Sequence, residues 1–188
     1  MLKPMSGASI ASVLFTVGQE FSNFNGESYT PPGLLDGLGA FMKDKNTVRI
    51  LAAHELSYYK GYPYEVKDSS GGTFMLTGAR ASYFDIDTVT MKVLESGMAY
   101  DTIYDCNGNM PADAESVLPD LNNEGANGIE RFCSAKLVDA GTYGFTDSIF
   151  FLNEETGGDE APFGGNCFAL DVQGRALHVV PALGRGAW

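Results

Sequence analysis

Positive charge is scarce in this sequence. Its 12 Lys and Arg stand against 24 Asp and Glu, for a net charge of −12. Such a field repels nucleic-acid backbones and anionic membranes, and sets both aside as partners. Histidine and cysteine are also few, at 2 and 3 residues. With so little histidine no Ser-His-Asp order can be read, and no GxSxG string occurs. P-loop and GxGxxG-helix signatures are missing as well. Cys106, Cys133 and Cys167 are odd in number and form no CxxC, so neither a complete disulfide framework nor a closed zinc site is expected. No apolar run approaches the ~20 residues of a membrane-spanning helix. The stretch after Lys3, Ser6-Gly7-Ala8-Ser9-Ile10-Ala11-Ser12, is too polar for the apolar region of a signal peptide.

Turn residues and short apolar runs dominate instead. Hydrophobic residues make up 44% of the 188 and aromatics 12%, enough for a packed core. The 23 glycines, with Asn, Asp, Ser and Pro, break the chain about every ten residues. That rhythm belongs to an all-β protein of short antiparallel strands in blade-like meanders with long loops. It fits a partial β-propeller, and periodicity alone fits an open sandwich equally. No linker divides residues 1–188, so the expectation is a single domain, read as an incomplete N-terminal part of a larger propeller.

Strands are expected at residues 9–17, 47–54, 73–77, 79–87, 89–95 and 98–104. The last four of these follow one another as an antiparallel meander. Further strands are expected at 131–138, 147–153, 167–172 and 176–181. The run from Leu34 to Phe41 is apolar, but its glycines argue against a helix there. The polar stretch 105–128 is too long for an inert connection, and a helical turn is expected near 112–118.

Four places carry residues suited to chemistry. His54-Glu55 closes an apolar strand and puts an imidazole beside a carboxylate, a way to hold a metal or a phosphate. Cys133 stands two residues from Arg131, a cation able to lower a thiol pKa and favour metal binding. Glu154-Glu155 ends the core-like run Ile149-Phe150-Phe151-Leu152 ahead of a glycine-rich loop, where carboxylates can bind Ca²⁺ or Fe³⁺. Asp105-Cys106-Asn107-Gly108-Asn109 opens like a calcium loop, but Met110 and Ser116 stand where an EF-hand needs Gly and Glu. Asp85 and Asp87 share a strand face, a pattern more typical of a strand running out into solvent than of a catalytic pair.

Several strings taken in order resemble the PhoX-type alkaline phosphatases. They are the strings at 29–40 (with Tyr29-Thr30-Pro31-Pro32-Gly33), 48–56 (with Ala53-His54-Glu55) and 78–87, then Arg131-Phe132-Cys133-Ser134, Phe151-Leu152-Asn153-Glu154-Glu155 and the string at 180–188. The resemblance spans nearly the whole chain. It implies a large exported β-propeller, periplasmic or extracellular, that hydrolyses phosphomonoesters with Fe³⁺ and Ca²⁺ at its centre. The cations would neutralise phosphate oxygens and orient an in-line attack. By the same resemblance Cys133, Glu154, Glu155 and Glu55 become metal ligands and His54 a substrate-binding residue. Ala53 departs from the family's Asn-His-Glu, and Asn153 replaces the Cys of its Cys-Glu-Glu. The family's later acidic ligands and phosphate-binding Arg and Trp would lie past Trp188, so the isolated chain is expected to be inactive or nearly so. The alternative is a non-catalytic, calcium-stabilised propeller module that binds without turnover.

Overall fold

The computed structural model describes residues 13–117, 128–157 and 164–186. Its described residues are all-β, with two single-turn 3-10 helices at Ala114–Ser116 and Pro181–Leu183. In chain order the strands are β1 (Phe21–Ser22), β2 (Ser28–Tyr29), β3 (Leu35–Asp44), β4 (Thr47–His54), β5 (Tyr64–Lys67), β6 (Thr73–Gly78), β7 (Arg80–Asp87) and β8 (Val93–Met98). There follow β9 (Thr102–Tyr104), β10 (Gly128–Ile129), β11 (Phe132–Val138), β12 (Ile149–Glu154), β13 (Gly165–Asp171), β14 (Ala176–Val179) and β15 (Arg185–Gly186).

Two larger sheets organise the molecule. The first is antiparallel, in the order β3-β4-β7-β8. The second runs β11-β12-β13-β14-β9, with β9 parallel to β14 and β15 paired to the start of β13. A small sheet, β10-β6-β5, sits beside them. One core joins all three: Leu51, Ala53 and Tyr83 from the first sheet, Tyr64 and Leu76 from the small one, Phe132, Phe150, Leu152 and Phe168 from the second. The opposite face of the first sheet buries Ala52, Phe84 and Ile86 under Leu14 and Phe15. The Phe15 ring stacks on Phe84 with centroids 4.4 Å apart. Both faces of β4 and β7 are therefore largely covered, so the polar side chains they carry, such as His54, Ser82 and Asp85, are buried and hydrogen-bonded.

The two larger sheets meet through β3 and β11. The glycines between Leu34 and Phe41 make this contact possible. A Cβ at Gly37 would overlap the Ala135 side chain and lie 2.5 Å from the Ala135 backbone nitrogen. At Gly39 it would lie 2.8 Å from Leu137 Cβ and 3.0 Å from the Phe150 ring. These glycines do not punctuate a loop; they let a ten-residue strand approach its neighbour closely.

Three sequence expectations need correction. Residues 13–17 form no strand: they lie as irregular chain against the first sheet, and residues 9–12 fall outside the described ones. The segments between 73 and 104 do not form one meander but are dealt to three sheets. β6 joins β5, β7 pairs with β8, and β9 joins β14. Gly78, at φ +83°, turns the chain from one sheet to the next, and a Cβ there would sit 2.5 Å from Tyr58 Cα. Ser96 and Gly97, expected to separate the strands at 89–95 and 98–104, lie inside β8. The sheets form no closed ring among the described residues, so a propeller is not established by them.

Asp85 is not a solvated strand end. It is 2% exposed and receives Arg49 through both Nε and Nη2 at 2.7 Å, with Lys43 alongside. Burial pushes its carboxyl up, but the bonds from Arg49 and Lys43 outweigh that and hold it below the usual range. Asp87, by contrast, caps the following turn at Val89 and Thr90.

Gly37→Ala tests the sheet contact. It should cost ~2 kcal/mol and lower Tm by about 4–8 °C. Val89→Ala, at a side chain 83% exposed, should stay within about 0.5 kcal/mol of the parent. A Gly37→Ala chain that melts with the parent would contradict the close approach.

Candidate metal centre

Four strand ends converge at one edge of the two sheets: the starts of β3 and β11 and the ends of β4 and β12. Backbone bonds zip them together. Glu55 N–H donates to Leu34 O at 2.8 Å, Arg131 N–H to Leu56 O at 3.0 Å, and Glu155 N–H to Arg131 O at 2.7 Å. Leu34 holds a left-handed φ of +53°, unusual for a branched residue and located where the chain enters this edge.

Two irregularities aim side chains here. The β11–β12 register slips between Phe132 and Ser134, which leaves Cys133 as the unpaired residue of a bulge. The β3–β4 register slips between Leu35 and Leu38, across Asp36. Bulges of this kind re-aim side chains and recur beside functional sites.

The result is a group of Glu55, Cys133 and Glu155, whose ligand atoms all lie within 4.8 Å of one another. All three are partly exposed. Asp36 adds a further negative charge that acts on both Glu55 and Cys133. Arg131 donates through Nε and Nη2 to Glu155 O and lies 3.7 Å from the Glu155 carboxylate, which fixes that residue.

Electrostatics at the group favour a cation. Burial raises the Glu55 carboxyl above its ordinary range, and the hydrogen bond and charge of Glu155 raise it further. The Cys133 thiol is also raised, first by burial and then by Asp36, Glu155 and Glu55. This corrects the expectation that Arg131 would lower that thiol. The guanidinium is turned to the Glu155 backbone, and the carboxylates dominate the field at sulfur. A metal ion would reverse the sign of that field.

The donor set discriminates between metals. Two carboxylates and a thiol suit a transition ion such as Fe³⁺. They do not assemble the six to eight oxygens that Ca²⁺ takes, even with Asp36 added. Residues 105–109 do not gather ligands either: Asp105 Oδ1 accepts the Asn107 and Asn109 amides, a self-contained turn.

The structure separates His54 and Glu154 from the group. His54 has no exposed surface, and both its ring nitrogens are engaged. Nδ1–H donates to Gly33 O at 3.0 Å, so Nε2 accepts from Ser82 Oγ at 2.7 Å and the ring is neutral. It ties the Pro31-Pro32-Gly33 entry to the sheet and is not placed to touch a substrate. Glu154 is 1% exposed and accepts from Glu130 N–H at 2.9 Å and Asn166 N–H at 3.0 Å. It bridges strand ends from inside and offers nothing to an ion at the surface group. Asp36 was missed as a site residue; its only sequence signal was a carboxylate beside glycine at an irregular strand start.

Comparisons with protein-family models, with curated proteins and with solved structures found no match to this chain.

The two inward groups oppose each other in pH. Burial drives the His54 pKa down to about 4, with Arg80 adding to the fall, so its contribution to stability grows as pH rises from about 4 to 6.5. Burial drives Glu154 up to about 7, so its contribution is complete below about 4.5 and is lost as pH rises through 7. Each amounts to about 3 kcal/mol. With chelator present, the parent should show a nearly flat stability between pH 4.5 and 6.5 from this pair. His54→Gln should uncover a fall of about 3 kcal/mol from pH 4.5 to 7 in urea unfolding. An unchanged profile would show that the two groups do not titrate as described.

Proposed function

We propose that this chain is the metal-holding portion of a metal-dependent phosphomonoester hydrolase of the PhoX-like kind. The observation that carries the reading is the convergence of Glu55, Cys133 and Glu155 from three distant parts of the sequence. The family resemblance named four ligands from sequence strings, Cys133, Glu154, Glu155 and Glu55; three of them converge in the fold, and Glu154 stays buried apart from the group.

The group fits Fe³⁺ better than Ca²⁺, so Ca²⁺ belongs to the proposal only with ligands from elsewhere. When bound, such an ion supplies Lewis acidity towards a phosphoryl oxygen. The chain's own residues do the positioning. Arg131 holds Glu155 through its backbone oxygen. The bulge at Cys133 turns the thiol out of the β11–β12 ladder. On cation binding the raised Cys133 thiol loses its proton, and the negative charge that adds to burial in raising the Glu55 carboxyl is offset.

A propeller belongs to the same proposal. Two support points are the close contact of the antiparallel runs β3-β4-β7-β8 and β11-β12-β13-β14 through β3 and β11, and the apolar groove lined by Phe145, Ile149, Phe151 and Leu183 on the second sheet. That groove is a surface on which a further blade would pack. Export and a phosphomonoester substrate rest on the resemblance.

Metal loading tests the reading. Incubation with Fe³⁺ and gel filtration should leave about one ion per chain, with a thiolate-to-iron absorption band. Affinity should rise about tenfold per pH unit while Cys133 carries its proton. Cys133→Ser should abolish the band and weaken binding at least tenfold. Inorganic phosphate should bind the loaded form and not the metal-free one. Iron retained equally by Cys133→Ser would sink the metal assignment. A loaded chain that ignores phosphate would leave the non-catalytic binding module as the better reading.

A further inference from the structure

A cleft lies between the β1–β2 ribbon and the small sheet, and neither the Cys133 thiol nor the Glu55 and Glu155 carboxylates are in its lining. The cleft measures about 930 Å³ and is walled by Tyr29, Tyr62, Tyr64 and Tyr100, with Arg80 and Arg175 in its lining. Arg80 is 2% exposed. Its Nε and Nη2 both donate to one acceptor, Gly78 O, at 3.2 Å. The guanidinium lies 4.3 Å over the Tyr64 ring. No carboxylate among the described residues forms an ion pair with it.

A buried guanidinium with no anionic partner is costly to fold around, since burial of a charge is offset chiefly by pairing. Here that charge borders a cleft open to ligand. Arg175, in the same lining, is already engaged by Asp101 at 3.4 Å and by Met98 O at 3.0 Å. Glu20, Glu27 and Glu65 also line the cleft, and each carboxylate accepts a bond from a neighbouring side chain, not from Arg80. Their charge opposes a doubly charged anion. One negative charge can be matched at Arg80, and aromatic walls suit a flat ring.

We infer that the Arg80 cleft binds a small aromatic carboxylate, its carboxylate on the Arg80 guanidinium and its ring among the tyrosines. The inference does not depend on the metal centre.

The test is titration of the 188-residue chain with benzoate, benzamide and phenyl phosphate by calorimetry, with chelator present to keep the metal centre out of play. Benzoate should bind with a Kd below about 10 mM, and benzamide and phenyl phosphate at least about tenfold more weakly. Arg80→Met should weaken benzoate roughly tenfold to hundredfold in a chain that still melts cooperatively. Should Arg80→Met not fold, Tyr62→Ala, at a rim residue 59% exposed, should weaken benzoate about threefold without loss of Tm. Equal binding of benzoate and benzamide, tighter phenyl phosphate, no binding below about 10 mM, or undiminished binding in the folded variants would each overturn the assignment.

Discussion

The contact between β3 and β11 sets the geometry on which the rest depends. Two twisted sheets normally stand about 10 Å apart, held off by side chains on both faces. Gly37 and Gly39 remove those side chains on one partner, and Ala135 keeps the other small. The strands therefore lie close enough for their ends to be tied by single backbone bonds. Without that approach, the start of β3 and the start of β11 could not share one edge. Asp36 and Cys133 would then belong to separate surfaces.

Close packing also accounts for the distribution of polar groups in the interior. A tight inter-sheet joint leaves little room for water, so every buried polar side chain must find a protein partner. The described residues meet that demand: no buried side-chain polar atom lacks one. Asp85 is matched by Arg49 and Lys43, His54 by Gly33 and Ser82, and Glu154 by Glu130 and Asn166. These pairs join segments remote in sequence and bind the sheets to their loops. Arg80 has only a carbonyl and an aromatic face, which makes it the outlier among the buried charges.

Much of the β architecture was legible in the sequence. Thr47–His54 was readable to its last residue, because alternation and turn signals agreed there. The strands at 131–138, 147–153 and 167–172 were displaced by a residue or two. Sheet membership was not legible. Between residues 73 and 104 the local pattern is that of a meander, yet pairing is decided by contacts with segments up to 74 residues away in sequence, as at Tyr104 and His178. Glycine was ambiguous for the same reason. In the residue string, Gly37 looks like a break; only the facing Ala135 shows it to be a point of contact.

The site was half legible, and the pleat of the strand explains which half. His54-Glu55 and Glu154-Glu155 read as two dyads, each a pair of donors side by side. In a strand, however, successive side chains point to opposite faces. At both strand ends the first member turns inward and becomes a clamp, and the second turns out to the cluster. The inward member is buried and has its acceptors or donors filled; the outward one is partly exposed and crowded by like charge. One short strand end thus does two jobs that compete in a single side chain. A residue whose side chain is turned inward to hold the backbone cannot also reach an ion at the surface group. The division of labour at residues 54–55 recurs at 154–155. The donors at this edge are therefore held by their neighbours one position back, and a clamp lost at His54 or Glu154 would reach the cluster through the backbone it anchors.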